Sequence, residues 1–196
     1  MSHEALMRCW WCGTDPLYVQ YHDQEWGREV HDDRRLYEKI CLEGFQAGLS
    51  WLTILRKRAR FRAVFDDFDF ERVARFTQHD VARLMGDAGI VRHRGKIEST
   101  INNARRAMTL RERHGSLASF VYGFRPPDHA RPPRITQDAL MTMTSTPESV
   151  AMSRELKAAG WTFVGPTTIY AFMQSVGVVN DHVETCAFRI QPPSSV

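Results

Sequence analysis

Apolar residues recur along this chain with the three-to-four-residue step of helices and rarely with the two-residue step of strands. Helix-period segments run over about 33–47, 50–65, 69–76, 78–85, 93–113, 116–123, 147–159 and 166–177. Their ends carry the expected punctuation. Thr77-Gln-His-Asp80 has the form of a capping box with Asp in place of Glu, and Ser145-Thr-Pro-Glu148 offers a cap with Pro in the first turn. Gly115 and Gly160 stand where the helices before them should close. The best strand candidate is WTFV (161–164), too short to found a sheet, and no repeat of solenoid period is present. RPPDHARPPR (125–134) breaks structure and reads as a connection between helical groups or a surface loop, while the terminal QPPSSV is expected to be disordered. The pattern predicts an all-α protein.

One polar residue falls on the wrong face of this pattern. Leu36, Ile40, Glu43 and Ala47 occupy i, i+4, i+7 and i+11 of the 33–47 helix, a single stripe that should turn inward. A carboxylate on such a stripe must be paired, protonated or waiting for a ligand, because burying it alone is costly.

Composition narrows the class. At 196 residues the chain forms one domain or two small lobes, with enough length for a real core. A hydrophobic content of 43% with 25% charged residues is that of a globular protein. No apolar run approaches the ~18 residues of a membrane span, and MSHEALMRCWW lacks a signal-peptide core, so a cytoplasmic location is expected. The net charge is only +3, but it is unevenly spread. RKRARFR (56–62) and RHRGK (92–96) concentrate basic residues. Either alone is an ordinary solvated helix face; together, each near a glycine-containing turn, they point to a phosphate-facing surface.

The four cysteines, Cys9, Cys12, Cys41 and Cys186, argue against a disulfide framework in a cytoplasmic chain. His182 and Cys186 lie four apart near one end; Cys9, Cys12 and His22 lie near the other. A Cys₂His₂ set suits zinc and would tie the termini together. Two alternatives stand beside it: small buried cysteines with no ligand role, and Cys9-Trp-Trp-Cys12 as a redox pair, which lacks the βαβ context such pairs need.

LMGDAGIVRHRGKI (84–97) has the form of a helix-hairpin-helix: a short helix ending at Gly86, a turn with Gly89, then a basic segment opening a long helix. Gly89 would supply a positive φ, and the second helix would offer free backbone N–H groups to a phosphate. Arg92, Arg94 and Lys96 would add Coulomb attraction. An ordinary helix–helix connection with a basic first turn is the plainer alternative.

RCWW near residue 8, DPLYVQYHDQEWG (15–27), ICLEGFQAGLSW (40–51), DAGIVRHRGKI (87–97), FVGPTTIYAFMQSVGVVNDH (163–182) and Cys186 follow one another in an order that resembles the DNA-3-methyladenine glycosylase I family. The resemblance covers nearly the whole chain. It implies the all-α helix-hairpin-helix glycosylase fold, as one unit or as two lobes (about 34–124, and 1–33 with 135–190). One structural zinc per chain is implied, held by Cys9, His22, His182 and Cys186 and joining the N- and C-terminal segments. The family's base pocket maps onto Glu43, Tyr21 and Trp51, lined by Tyr18, Trp11 and Trp26. Gly48 and Leu49 match positions that approach the space left by a flipped base, and Gly89, Arg92, Arg94, Gly95 and Lys96 match the DNA-binding hairpin. Pro166 after Gly165, and Ala171, depart from the family pattern, where a Thr and a small hydroxyl residue are expected.

The implied activity is excision of 3-methyladenine from double-stranded alkylated DNA by a monomer, releasing the free base and leaving an abasic site. A base inside a duplex is out of reach, so it must be flipped into a pocket. Aromatic faces favour a cationic ring, and a carboxylate accepts from the N6 amino group of adenine while disfavouring the O6 acceptor of guanine. From Ala88 to Pro127 there is no Asp to serve as the superfamily's usual catalytic acid, which leaves a monofunctional hydrolase without a lyase step. Two other readings compete: a non-catalytic helix-hairpin-helix DNA-binding protein, which would not need Glu43 among aromatics, and a zinc hydrolase, which would need an open metal position that four protein ligands do not leave.

Overall fold

A computed structural model describes residues 6–132 and 134–189. Among them lie ten α-helices and no strand: α1 (Pro16–Gln24), α2 (Asp33–Gln46), α3 (Trp51–Val64), α4 (Phe70–Val73), α5 (Gln78–Met85), α6 (Arg94–His114), α7 (Leu117–Tyr122), α8 (Gln137–Thr142), α9 (Pro147–Ala158) and α10 (Pro166–Ser175). The expected caps are present. Asp80 accepts from the Thr77 N–H at 2.9 Å, and Thr146 accepts from Ser149 N–H with Pro147 opening the helix behind it. Two helices, α1 and α8, are absent from the periodicity reading. They are short, and α1 buries a His and a Tyr rather than aliphatic residues. Its signal was in the start: Asp15 accepts from Leu17 and Tyr18 N–H, and Pro16 takes the first helical position.

The strand candidate 161–164 is a bend. Its backbone needs are met without a neighbouring strand: the Asn103 side-chain amide accepts from Thr162 N–H and donates to Thr162 C=O, both at 3.0 Å. Residues 191–196, expected to be disordered, lie outside the described residues.

α2 is the central element and packs on α3, α6, α7 and α10. A single hydrophobic cluster runs from Cys9 to Cys186 around it. Two glutamates of α2 are buried, and their situations differ. Glu38 accepts from Arg35 at 2.6 Å and Arg62 at 2.7 Å, so its charge is matched. Glu43, one and a half turns on, receives no such donor.

The basic run 56–62 lies along α3, and the expectation of a phosphate-facing surface there is corrected. Arg56 pairs with Asp15 at 2.7 Å, Arg58 with Glu25 at 2.6 Å, Arg60 with Asp87 at 2.6 Å and Arg62 with Glu38 at 2.7 Å. Lys57 donates to the Ala88 carbonyl. Each cation is answered by an acid or carbonyl from another part of the chain, so the run fastens α3 to its neighbours.

The hairpin joins α5 to α6, but two of its expected parts act differently. Gly89 does not have a positive φ. It is small because the turn packs closely: a Cβ there would lie 2.6 Å from Arg60 Cγ and 2.9 Å from Asp87 Oδ1. Lys96, expected on a phosphate, turns inward, is buried, and donates to the carbonyls of Phe45 (2.9 Å) and Ala47 (2.5 Å). These are end carbonyls of α2, left unsatisfied by the helix and carrying its negative dipole end. Lys96 thereby fastens the hairpin helix to the helix that carries Glu43. Replacing Lys96 with Met should lower stability in urea denaturation by about 2 kcal/mol, the scale of lost charge-assisted hydrogen bonds; an unchanged midpoint would show that the contact contributes nothing.

Candidate functional site

Four potential metal ligands converge from the two ends of the chain. Cys9 precedes the turn Trp10–Cys12, His22 is in the last turn of α1, and His182 and Cys186 follow α10. All are buried, and their ligand atoms lie within 4.8 Å of one another. His182 Nδ1 is 3.6 Å from Cys9 Sγ and 3.4 Å from Cys186 Sγ, while His22 Nε2 is 3.5 Å from Cys186 Sγ. A tetrahedron with Zn–S of about 2.3 Å and Zn–N of about 2.05 Å has S···N edges of about 3.6 Å. The donor set therefore fits such an ion.

The remaining ring nitrogens are also occupied. His22 Nδ1 meets Asp23 at 2.8 Å, and Arg8 holds that carboxylate; His182 Nε2 meets the Trp26 carbonyl at 3.2 Å. Partners of this kind orient metal-bound imidazoles. Burial pushes His182 down to about 4, the neutral form that ligates. It pushes the Cys9 thiol up to about 12, so a cation is what would hold it as thiolate. Gly27, at φ +78°, makes room for His182: a Cβ there would sit 3.0 Å from Nε2. Cys12 is buried, but it is not in this group.

Directly against the cluster is a cavity of about 300 Å³. Trp11, Tyr18, Tyr21, Trp26, Trp51 and Glu43 all line it. The rings form a continuous series, with centroid separations of 4.8 Å (Trp26–Trp11), 5.2 Å (Trp11–Tyr18), 6.4 Å (Tyr18–Tyr21) and 5.4 Å (Tyr21–Trp51). Trp11 and Trp26 also rest edge-on against His22 and His182 respectively. One wall of the cavity is thus built on the ligand cluster.

Glu43 is 5% exposed, its carboxyl pushed up to about 8 by burial and drawn back only by the Lys39 charge. No hydrogen bond from a described residue reaches it. The indole Nε1 of Trp51 is likewise buried without a partner. An acceptor and a donor, both free of protein partners, therefore stand beside stacking surfaces. That arrangement suits a flat heterocycle with hydrogen-bonding edges.

The opposite wall escaped the sequence reading. Thr167, Tyr170, Ala171 and Gln174 of α10 line it, and their i, i+3, i+4, i+7 spacing is a signal that could have found them. Behind them Asp181 accepts from Tyr170 at 2.5 Å and from Gln174 at 2.9 Å, and pairs with Arg131 from the proline-rich loop. Its oxygens are occupied, so it offers no free base. Gln46, Leu140, Met143, Thr144 and the exposed Trp10 also line the cavity; nothing in local sequence marks Leu140 or Met143.

Gly48 and Leu49 form the exposed tip between α2 and α3. Gly48 has φ +81° with open space around its Cβ position, and Leu49 is 43% exposed. On the hairpin, Arg92 and Arg94 are exposed, Arg94 within 3.3 Å of Glu98, and Gly95 is half-buried at the start of α6. The amides of Arg94 and Gly95 begin that helix and have no acceptor within it. No described helix is long and apolar enough to cross a membrane.

Comparison with known proteins gives a consistent result. The family model described as methyladenine glycosylase matches residues 11–190. The chain is 48% identical to DNA-3-methyladenine glycosylase 1 of Escherichia coli (strain K12) over 183 residues, 92% of this chain and 96% of that protein. It is 41% identical to DNA-3-methyladenine glycosylase of Haemophilus influenzae over 179 residues, 91% of this chain and 96% of that one. The solved 3-methyladenine DNA glycosylase I of Staphylococcus aureus superposes with a TM-score of 0.88 at 32% identity, covering 96% of this chain and all of that one. By sequence, fold and the extent of both, the chain belongs to the DNA-3-methyladenine glycosylase I family.

Proposed function

We infer that this chain takes an alkylated nucleotide out of duplex DNA and hydrolyses its glycosidic bond, excising 3-methyladenine and leaving an abasic site. The observation that carries the reading is Glu43, a buried carboxyl without a hydrogen-bond donor inside an aromatic cavity. The E. coli and H. influenzae relatives carry the same activity in their names, and the S. aureus structure concerns recognition of 3-methyladenine.

N3-alkylation gives adenine a positive charge and weakens its glycosidic bond. Tyr21 and Trp51 stack on the electron-poor ring, adding a cation–π term to ordinary stacking. As carboxylate, Glu43 accepts from the N6 amino group and neutralises the ring charge. Guanine presents the acceptor O6 where Glu43 needs a donor, and leaving the carboxylate and O6 unpaired is what rejects it. Glu43 sits in a pocket that favours its protonated form when empty, so a cationic base binds with loss of a proton. Water then attacks C1′ of a bond already labile. No lysine is among the described residues that line the cavity, and the reaction ends at the abasic site.

Leu49, on the flexible-backbone tip made by Gly48, fills the gap left by the flipped nucleotide. Arg92, Arg94, Gly95 and the first amides of α6 hold the phosphate backbone, with Gly89 shaping the turn; Lys96 acts from behind as an anchor. The ion held by Cys9, His22, His182 and Cys186 is zinc. It supplies cross-linking of the chain ends and rigidity for Trp11 and Trp26, and it takes no part in the reaction. The enzyme works as a monomer in the cytoplasm. A protein that gripped only the DNA backbone would have no use for the unpartnered Glu43.

Base release from methylated DNA checks the central claim. The parent should liberate 3-methyladenine with little 7-methylguanine, and Glu43→Gln should lose about 10- to 100-fold, the worth of a hydrogen bond to a charged group. No release by the parent would end the enzyme reading. Elemental analysis should find one zinc per chain, reduced in Cys186→Ser; activity lost to a chelator with the fold intact would instead put the metal in the chemistry. Arg92→Ala should reduce the slope of log K against log salt by about 1, and an unchanged slope would remove Arg92 from the phosphate face.

A further inference from the structure

Lys39 is the one buried cation near the cavity to which the reading above gives no work. It lies one helical turn before Glu43 on α2, so the two side chains share a face. Its Nζ is buried, has no hydrogen-bond partner among the described residues, and stands 5.3 Å over the ring of Tyr21. Lys39 does not itself line the cavity. Its charge reaches the site through Tyr21 and Glu43, the two residues that would hold the base.

An ammonium buried without an acceptor is expensive, and an apolar side chain would fill the same place at less cost. The nearby carboxylates do not relieve it by contact. Glu25 is bound in a bidentate pair with Arg58, and Glu38 with Arg35 and Arg62. Of the acids that act on Lys39, Glu43 alone has no cation of its own. Resting on the base-reading role of Glu43, we propose that Lys39 is a positioning residue: a fixed counter-charge behind the pocket wall that favours the Glu43 carboxylate over its protonated form and so sets the lower pH limit of base capture.

Every charged or titratable group facing the pair enters the balance. Around Glu43, burial raises its pKa, Lys39 lowers it, and Tyr18 and Tyr21 of α1 stand close enough to feel its charge. Around Lys39, burial lowers its pKa and Arg58 of α3 opposes its charge, while Glu25, Glu43 and Glu38 favour it. Removing Lys39 takes away the only influence that lowers Glu43. The carboxyl then loses its proton at higher pH, and the acid limb of base capture moves upward. The Lys39 charge also repels a cationic base, but Tyr21 lies between them and Glu43 neutralises the ring on contact. Across the limb, favouring the ionised Glu43 outweighs that repulsion.

The test is the pH profile of single-turnover 3-methyladenine release from methylated DNA, paired with 13C NMR titration of the Glu43 carboxyl in the free protein. It compares the parent, Lys39→Met, Lys39→Arg and Glu43→Gln. The limb should lie near 8 in the parent, vanish in Glu43→Gln, move up by about one unit in Lys39→Met, and stay at the parental position in Lys39→Arg. Release by Lys39→Met at neutral pH should be about tenfold slower and recover above its new limb. A limb lost in Glu43→Gln but unmoved in Lys39→Met overturns the role of Lys39 alone, and so does an equal shift in Lys39→Arg, which would mean packing rather than charge. A limb that survives in Glu43→Gln overturns the reading of Glu43 together with that of Lys39.

Discussion

A carboxyl group set in a cavity wall without a protein donor to meet it is the constraint on which the rest of this molecule turns. Glu38 and Glu43 lie on the same helix and are both buried, yet only Glu38 has its charge matched by arginines. Pairing Glu43 in the same way would have made it a structural residue. Leaving it unpaired costs stability, and the surrounding structure bears that cost by locking α2 in place. Lys96 ties down the end of α2, the aromatic series closes around the carboxyl, and the core cluster packs α2 on most of its circumference.

The allocation of cations follows a related logic. A weakly basic chain that must meet DNA could display its arginines, yet α3 directs four of them to acids elsewhere in the fold. In the proposed reading, the part offered to phosphate is local: the exposed arginines at the hairpin and the first amides of α6. Such a surface would grip a backbone at a defined point rather than attract it over a broad face. The grip is joined mechanically to the pocket, because the helix that starts at the hairpin also holds the end of the helix bearing Glu43.

The Cys₂His₂ cluster connects the chain's ends to the same pocket. Trp11 and Trp26 lie against its imidazoles, and the Trp26 carbonyl meets His182. A metal held there would cross-link segments 173 residues apart (Cys9 and His182), restrict the unfolded chain and fix one wall of the cavity. The short aromatic-rich segments around Trp11 and Trp26 would gain rigidity from it.

Much of this was legible in the chain. Helical periodicity and capping residues gave most of the helices, and Glu43 betrayed itself by sitting on an apolar stripe, since side chains at helical spacing share a face whatever the fold. The clustering of Cys9, His22, His182 and Cys186, and the aromatic wall, could be expected from motifs at both ends. Other features depend on partners distant in sequence, and only the tertiary structure decided them. The basic run 56–62 looks the same whether it faces phosphate or carboxylates; Asp15, Glu25, Asp87 and Glu38 settle that. Lys96 carries the residue type of a phosphate ligand, but two carbonyls from another helix turn it inward. The short α1 and α8 lack a visible period because the residues they bury face a site and a ligand cluster rather than an aliphatic core. Local pattern records which face of an element is apolar; which charge meets which is a property of the packed chain.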